Sequence, residues 1–168
     1  MELPQRKPNR LPSFDYSTPG AYFITICVQD RRCVLGRIVG GGDLDAPQVA
    51  LTKVGRIVQR NLELCRQIPD VHIDKYVIMP NHIHLILFLN GGGVDETSRS
   101  PSPTNAVVPH FVSTFKRFCH KETKKKIFQR SYHDHVIRGE RDYLKIWEYI
   151  EGNPSKWRED CFFTEDGI

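Results

Sequence analysis

The chain has 168 residues, 39% of them apolar and 26% charged, with a formal net charge of +4. These are the proportions of one globular domain with a single core. No apolar run approaches the ~18 residues needed to span a bilayer, and Met1–Pro8 holds no apolar signal core. A membrane span and a secretory leader are therefore not expected.

Five cysteines, Cys27, Cys33, Cys65, Cys119 and Cys161, are scattered and never in Cys-x-x-Cys spacing. That argues against a disulfide framework or a structural zinc site and for a reducing, cytoplasmic compartment. The mild positive charge permits nucleic-acid binding without demanding it. It is unevenly placed, however, because Lys116, Arg117, Lys121, Lys124, Lys125, Lys126 and Arg130 crowd one segment. Such an excess suits phosphates, although a solvated helix face is the plain alternative.

Residues 1–19 are rich in Pro, Arg and Lys and read as an extended basic arm, leaving 20–168 as one domain. Tyr22–Val28 is an aromatic and β-branched strand. Cys33–Val39 is expected to return as a second, antiparallel strand, followed by a flexible loop at Gly40–Asp43. Val49–Leu51 reads as a short strand or as the entry into a helix. From Thr52, a candidate N-cap, Val54, Ile57, Val58, Leu62 and Cys65 recur at helical spacing until Pro69-Asp70. Strands over 72–79 and 82–89 follow. Gly91–Pro103 is the most loop-like stretch and too long for a hairpin turn.

A second helix carries Val107, Phe111, Phe115, Phe118 and Cys119 opposite the basic residues. Phe128–Arg138 is aromatic, basic and histidine-rich, and Gly139 ends it. A last helix over about Glu140–Gly152 points Tyr143, Ile146, Trp147 and Ile150 towards a core, and Asn153-Pro154 stops it. This order predicts an α+β fold with helices packed on an antiparallel sheet.

Two features carry chemistry. In the strand His82-Ile83-His84-Leu85 alternate side chains share a face, so the two imidazoles lie side by side. They either hold one divalent ion or line a wet sheet face. Tyr149 and Asn153, four apart, are neighbours on one face of the last helix. A phenol with a pKa near ~10 is a poor nucleophile unless an ion draws charge off the phosphate it attacks. Two imidazoles and the Asn153 amide oxygen form a mixed nitrogen and oxygen set suited to Mg²⁺ or Mn²⁺.

Three stretches in this order, Pro80-Asn81-His82-Ile83-His84-Leu85, His135-Val136-Ile137-Arg138 and Tyr149-Ile150-Glu151-Gly152-Asn153-Pro154, resemble the HUH single-tyrosine transposases. Within that group the chain most resembles the REP-associated tyrosine transposases of bacteria, and Pro19–Thr25 resembles that family's opening strand. Asn153 fits this branch, since many members of the wider group have glutamine there. The resemblance implies a ferredoxin-like antiparallel sheet with helices packed on it. It also implies that His82, His84 and Asn153 bind the catalytic ion and that Tyr149 is the nucleophile. The implied substrate is single-stranded DNA folded into hairpins, cleaved and rejoined through a 5′-phosphotyrosine link. Members of the wider group exchange tyrosine helices between subunits and the REP-associated branch can be monomeric, so monomer and homodimer both stay open.

Arg6, Lys7 and Arg10 in the arm, with Lys116, Arg117, Lys121, Arg130 and Arg138, are the expected DNA contacts, and Tyr132 the expected stacking platform for an unpaired base. Tyr143 is expected in the core, and His133 and His135 in DNA contact or local hydrogen bonding. Two other readings are a hairpin-binding module without catalysis and a metal-dependent phosphodiester hydrolase.

Overall fold

In the computed structural model, which describes residues 14–41, 45–90 and 106–165, the strand-forming segments build a four-stranded antiparallel sheet. The elements run β1 (Gly20–Cys27), β2 (Gly36–Val39), β3 (Gln48–Leu51), α1 (Lys53–Cys65), β4 (Val71–Ile78), β5 (His82–Leu89), α2 (Val107–Thr123), β6 (His133–Ile137) and α3 (Glu140–Gly152). The main sheet has the order β4-β5-β1-β6. Two strand–helix–strand units, β1-α1-β4 and β5-α2-β6, interleave to give it, which is the ferredoxin-like arrangement.

The sheet separates two chemistries by its period of two. One face carries Tyr22, Ile24 and Ile26 of β1, paired in register with Leu87, Leu85 and Ile83 of β5. These residues, with Val58 and Leu62 of α1 and Phe111 and Phe115 of α2, form the apolar core. The other face carries Cys27, Thr25 and Phe23 opposite His82, His84 and Ile86. Helix α3 covers this second face, setting Tyr143 against Phe88 and Tyr149 against His84 and Phe23.

Local sequence explains the joints. Thr52 caps α1, accepting from Gly55 N at 3.0 Å while its hydroxyl donates to Val34 O at 2.6 Å. Gly55 lets the helix approach the preceding loop, because a Cβ there would stand 1.9 Å from the Leu35 carbonyl oxygen. Lys75 on β4 ties α3 to the sheet edge, pairing with Glu151 and lying 3.7 Å from the Trp147 ring centroid.

Four expectations change. The segment after β1 does not return along it: Gly36–Val39 pairs with Gln48–Leu51 in a separate two-stranded sheet. Both flanks of β1 are already taken by β5 and β6. Strand β6 was not legible, because its edge position leaves His133 and His135 exposed and gives no apolar alternation. Tyr132 is only 7% exposed and belongs to the core, so its ring is not presented for stacking. Tyr143 is half-buried, not in the core, and its hydroxyl donates to Asp74 Oδ2 at 2.8 Å. Among the described residues no helix is long and apolar enough to cross a membrane, and all five cysteines are free thiols.

Candidate metal and tyrosine centre

His82 and His84 stand where the predicted strand puts them, side by side on the α3 face, with ring centroids 4.4 Å apart. Both are essentially inaccessible to solvent, at 0% and 1% exposure. Each ring has one nitrogen tied down by the scaffold. Asn81 Nδ2 donates to the carbonyls of Arg31 (3.1 Å) and Phe162 (2.8 Å), which orients the amide and leaves its Oδ1 as an acceptor. His82 Nδ1 therefore donates to that oxygen at 2.9 Å. The lone pair of His82 is then on Nε2, a buried atom with no hydrogen-bond partner. His84 Nδ1 lies 2.8 Å from Thr25 Oγ1, its cross-strand neighbour. An imidazole held at Nδ1 with Nε2 aimed inward is how metal-binding histidines are usually oriented.

Helix α3 brings the second half of the centre. Asn153 keeps helical dihedrals (φ −60°, ψ −43°) beyond Gly152, so it remains on the Tyr149 face. Tyr149 Oη lies 3.2 Å from His84 Nε2 and 3.2 Å from Asp160 Oδ2. Asn153 Nδ2 donates to the same Asp160 oxygen at 3.0 Å, and its buried Oδ1 has no hydrogen-bond partner. The structure thus brings together all four residues predicted for the centre, from elements far apart in the chain.

Asp160 is the residue that sequence reasoning missed. It follows the stop signal Asn153-Pro154 in a stretch without period, and only the return of the chain places it. Trp157, 3% exposed, anchors that return on the short turn Trp157–Glu159. The Asp160 carboxylate accepts from Phe162 N at 2.7 Å through Oδ1 and stands 3.8 Å from His82 Nε2 through Oδ2. A buried tryptophan beyond a helix stop was the one available sign that the tail packs back on the domain.

The electrostatics follow from burial. Desolvation, reinforced by the Arg31 charge, pushes His82 down to about 3, and burial with the neighbouring His82 also pushes His84 well down. Both rings are therefore neutral at physiological pH. Burial first, and the Asp160 charge second, push the Tyr149 phenol up to about 12. The phenol stays protonated until something positive enters. His82 Nε2 and Asn153 Oδ1 are buried acceptors without a partner, and ligand atoms of His82, His84 and Asp160 lie within 4.8 Å of one another, a grouping that fits a divalent cation.

The predicted DNA contacts fall elsewhere. Arg117, Lys121 and Arg130 are exposed, and Arg117 and Arg130 line a groove of about 360 Å³ with His120 and Lys126. This groove is at the His82 end of the sheet, since Gln129 N donates to Cys27 O and Cys27 is the register partner of His82. Lys116 differs from them. Its ammonium donates to the carbonyls of Gln129, Arg130 and Ser131, so it holds that segment in place instead of facing outward. Arg138 is exposed at the end of β6, while Asp142 accepts from its backbone N–H and from His135. Arg6, Lys7 and Arg10 lie outside the described residues.

No protein-family model matches the chain. An uncharacterized protein of Haemophilus influenzae is 31% identical over 175 aligned residues, 95% of this chain and 94% of its own. The REP-associated tyrosine transposase of Escherichia coli K12 is 26% identical over 141 residues, 84% of this chain and 70% of that one. A solved REP-associated tyrosine transposase bound to a REP hairpin has the same fold, with a TM-score of 0.59 at 21% identity over 93% of this chain and 74% of that chain. Motifs, the Escherichia coli relative and the fold agree on a likeness to the REP-associated tyrosine transposases and support a transposase-family role.

Proposed function

We propose that the protein is a metal-dependent strand-transferase acting on single-stranded DNA at hairpins, with Tyr149 as nucleophile. The observation that carries the reading is the 3.2 Å approach of Tyr149 Oη to His84 Nε2. A phenol from α3 and an imidazole of the buried pair meet within one chain, and a binding module has no need of that meeting. It also supports a centre complete in a single subunit, so that a monomer suffices.

In this reading His82 and His84, with Asn153 beside them, hold a divalent ion such as Mg²⁺ or Mn²⁺. The ion supplies charge that stabilises the phosphate oxygens as the bond forms. Helix α3 and the Asp160 contact hold the Tyr149 oxygen at the imidazoles. The phenol loses its proton, its oxygen bonds to phosphorus, and the bond from phosphorus to the 3′ oxygen breaks. The product is a 5′-phosphotyrosine and a 3′-hydroxyl, which takes up a proton, and the reverse reaction rejoins the strand. The two imidazoles stay neutral because burial holds their pKa values down. The groove of Arg117 and Arg130 gives the hairpin phosphates a place at the same end of the sheet, and the basic residues of 1–19 are proposed to add phosphate contacts to one domain, Tyr16 of that segment being packed in the core.

The test is a cleavage assay with hairpin oligonucleotides from the DNA flanking the gene, with Mg²⁺ or Mn²⁺, on a denaturing gel. A metal-dependent band at the mass of protein plus DNA is expected, absent in Tyr149→Phe while hairpin binding persists. Tight hairpin binding by the wild type with no adduct under either metal would overturn the enzyme in favour of a binding module. Metal-dependent cleavage without an adduct would point to a hydrolase.

A further inference from the structure

Resting on the metal centre just proposed, we infer that Asp160 is itself a ligand of the divalent ion, its carboxylate joining His82 Nε2 and His84 Nε2, with Asn153 Nδ2 holding it in place. The candidate ligand atoms of these three residues all lie within 4.8 Å of one another. Asn81 fixes the His82 hydrogen on Nδ1, so the Nε2 lone pair faces a carboxylate oxygen 3.8 Å away with no proton between them. Both side chains are out of water, at 0% and 1% exposure. Two electron-rich atoms so placed repel one another, and a buried carboxylate carries a heavy desolvation cost. A cation between them answers both.

The hydrogen bonds at Asp160 leave room for this role. Oδ1 takes the Phe162 N–H, and Oδ2 takes the amide of Asn153 and, at 3.2 Å, the Tyr149 hydroxyl, whose contact an ion on that oxygen would replace. A carboxylate oxygen has a further lone pair for an ion. The cleft that opens onto the centre, about 240 Å³, is lined by Glu148, Glu159 and Asp160 against the single cation of Lys156. An acidic mouth attracts a cation. An anionic ligand also raises affinity for Mn²⁺ or Mg²⁺ beyond what two imidazoles and an amide provide.

The experiment is Mn²⁺ binding to the full DNA-free chain, read from loss of the free Mn²⁺ signal in electron paramagnetic resonance. Wild type, His82→Ala and Asp160→Asn are compared, each checked for a cooperative melt. Asp160→Asn is expected to bind Mn²⁺ about ten-fold or more weakly, in the range that loss of a metal-site group produces. Equal or tighter binding by Asp160→Asn overturns the assignment and marks Asp160 as a competitor for the site. Wild-type protein that binds no Mn²⁺ overturns it too. Should the variant not fold, X-ray absorption at the manganese edge of the wild type decides: two imidazoles with a carboxylate support the ligand, and two imidazoles with water alone exclude it. Strand transfer is read separately from the DNA adduct, so unchanged Mn²⁺ affinity in Asp160→Asn beside a metal-dependent adduct refutes this inference alone.

Discussion

Thr25 Oγ1 lies 2.8 Å from Nδ1 of His84, directly across the β1–β5 pairing. The contact turns the ring so that Nε2 faces Tyr149, 3.2 Å away. A hydroxyl on the neighbouring strand therefore decides which imidazole nitrogen faces Tyr149. Thr25→Val keeps the shape and removes the partner. It is expected to weaken Mn²⁺ binding about ten-fold with the fold intact, and Thr25→Ser to restore it. Calorimetric titration of Mn²⁺ into the three proteins checks this, and equal affinities would show that packing alone orients the ring.

The buried imidazoles make stability depend on pH in a definite direction. In the metal-free folded chain the His82 pKa is pushed down to about 3 and that of His84 is also lowered, whereas in the unfolded chain both titrate near ~6.5. Below that value the unfolded state binds protons that the folded state refuses. Stability is therefore full above pH ~6.5 and falls as the pH drops towards the folded values. The slope is about 1.4 kcal/mol per pH unit for each histidine. Urea unfolding in EDTA between pH 5 and pH 7 measures it, and His82→Gln should remove one histidine's share.

Gly55 tests the packing that supports the centre from behind. Its close approach to the Leu35 carbonyl leaves no room for a methyl group. Gly55→Ala gains helix propensity of about 1 kcal/mol but must push the helix off the loop. Overpacking costs roughly 1–3 kcal/mol or more, so net destabilisation is expected in thermal melts. A stabilised variant would mean that the loop yields freely.

The basic segment around α2 divides into two kinds of lysine and arginine. Arg117, Lys121 and Arg130 are exposed, so neutralising any one should weaken hairpin binding and lower the salt slope of log K by about 1. Lys116 is bound to three carbonyls. Lys116→Met should leave those acceptors unsatisfied and lower the melting temperature, at a cost of about 1–3 kcal/mol. Binding isotherms at several salt concentrations, set beside melting curves, separate the two classes.

Much of the site was legible because its signals are local. The alternation of His82 and His84 along one strand and the four-residue spacing of Tyr149 and Asn153 on one helix follow from backbone geometry alone. The bounds of β5 and α3 were readable as well, since β5 is an apolar run set off by Pro80-Asn81 and Asn90 and α3 is bounded by Gly139 and Asn153-Pro154. The sequence by itself determined which residues share a face and which residue types can bind an ion or attack a phosphate.

Only the tertiary structure decided what faces what. It moved Gly36–Val39 out of the main sheet, added β6 as an edge strand and sank Tyr132 into the core. It turned the Lys116 ammonium inward and folded the tail back so that Asp160 meets Tyr149, Asn153 and His82. These outcomes rest on contacts between segments distant in sequence, where the free energy of burial and pairing overrides local preference. No period or short motif in the chain encodes the partner of a side chain across such a distance.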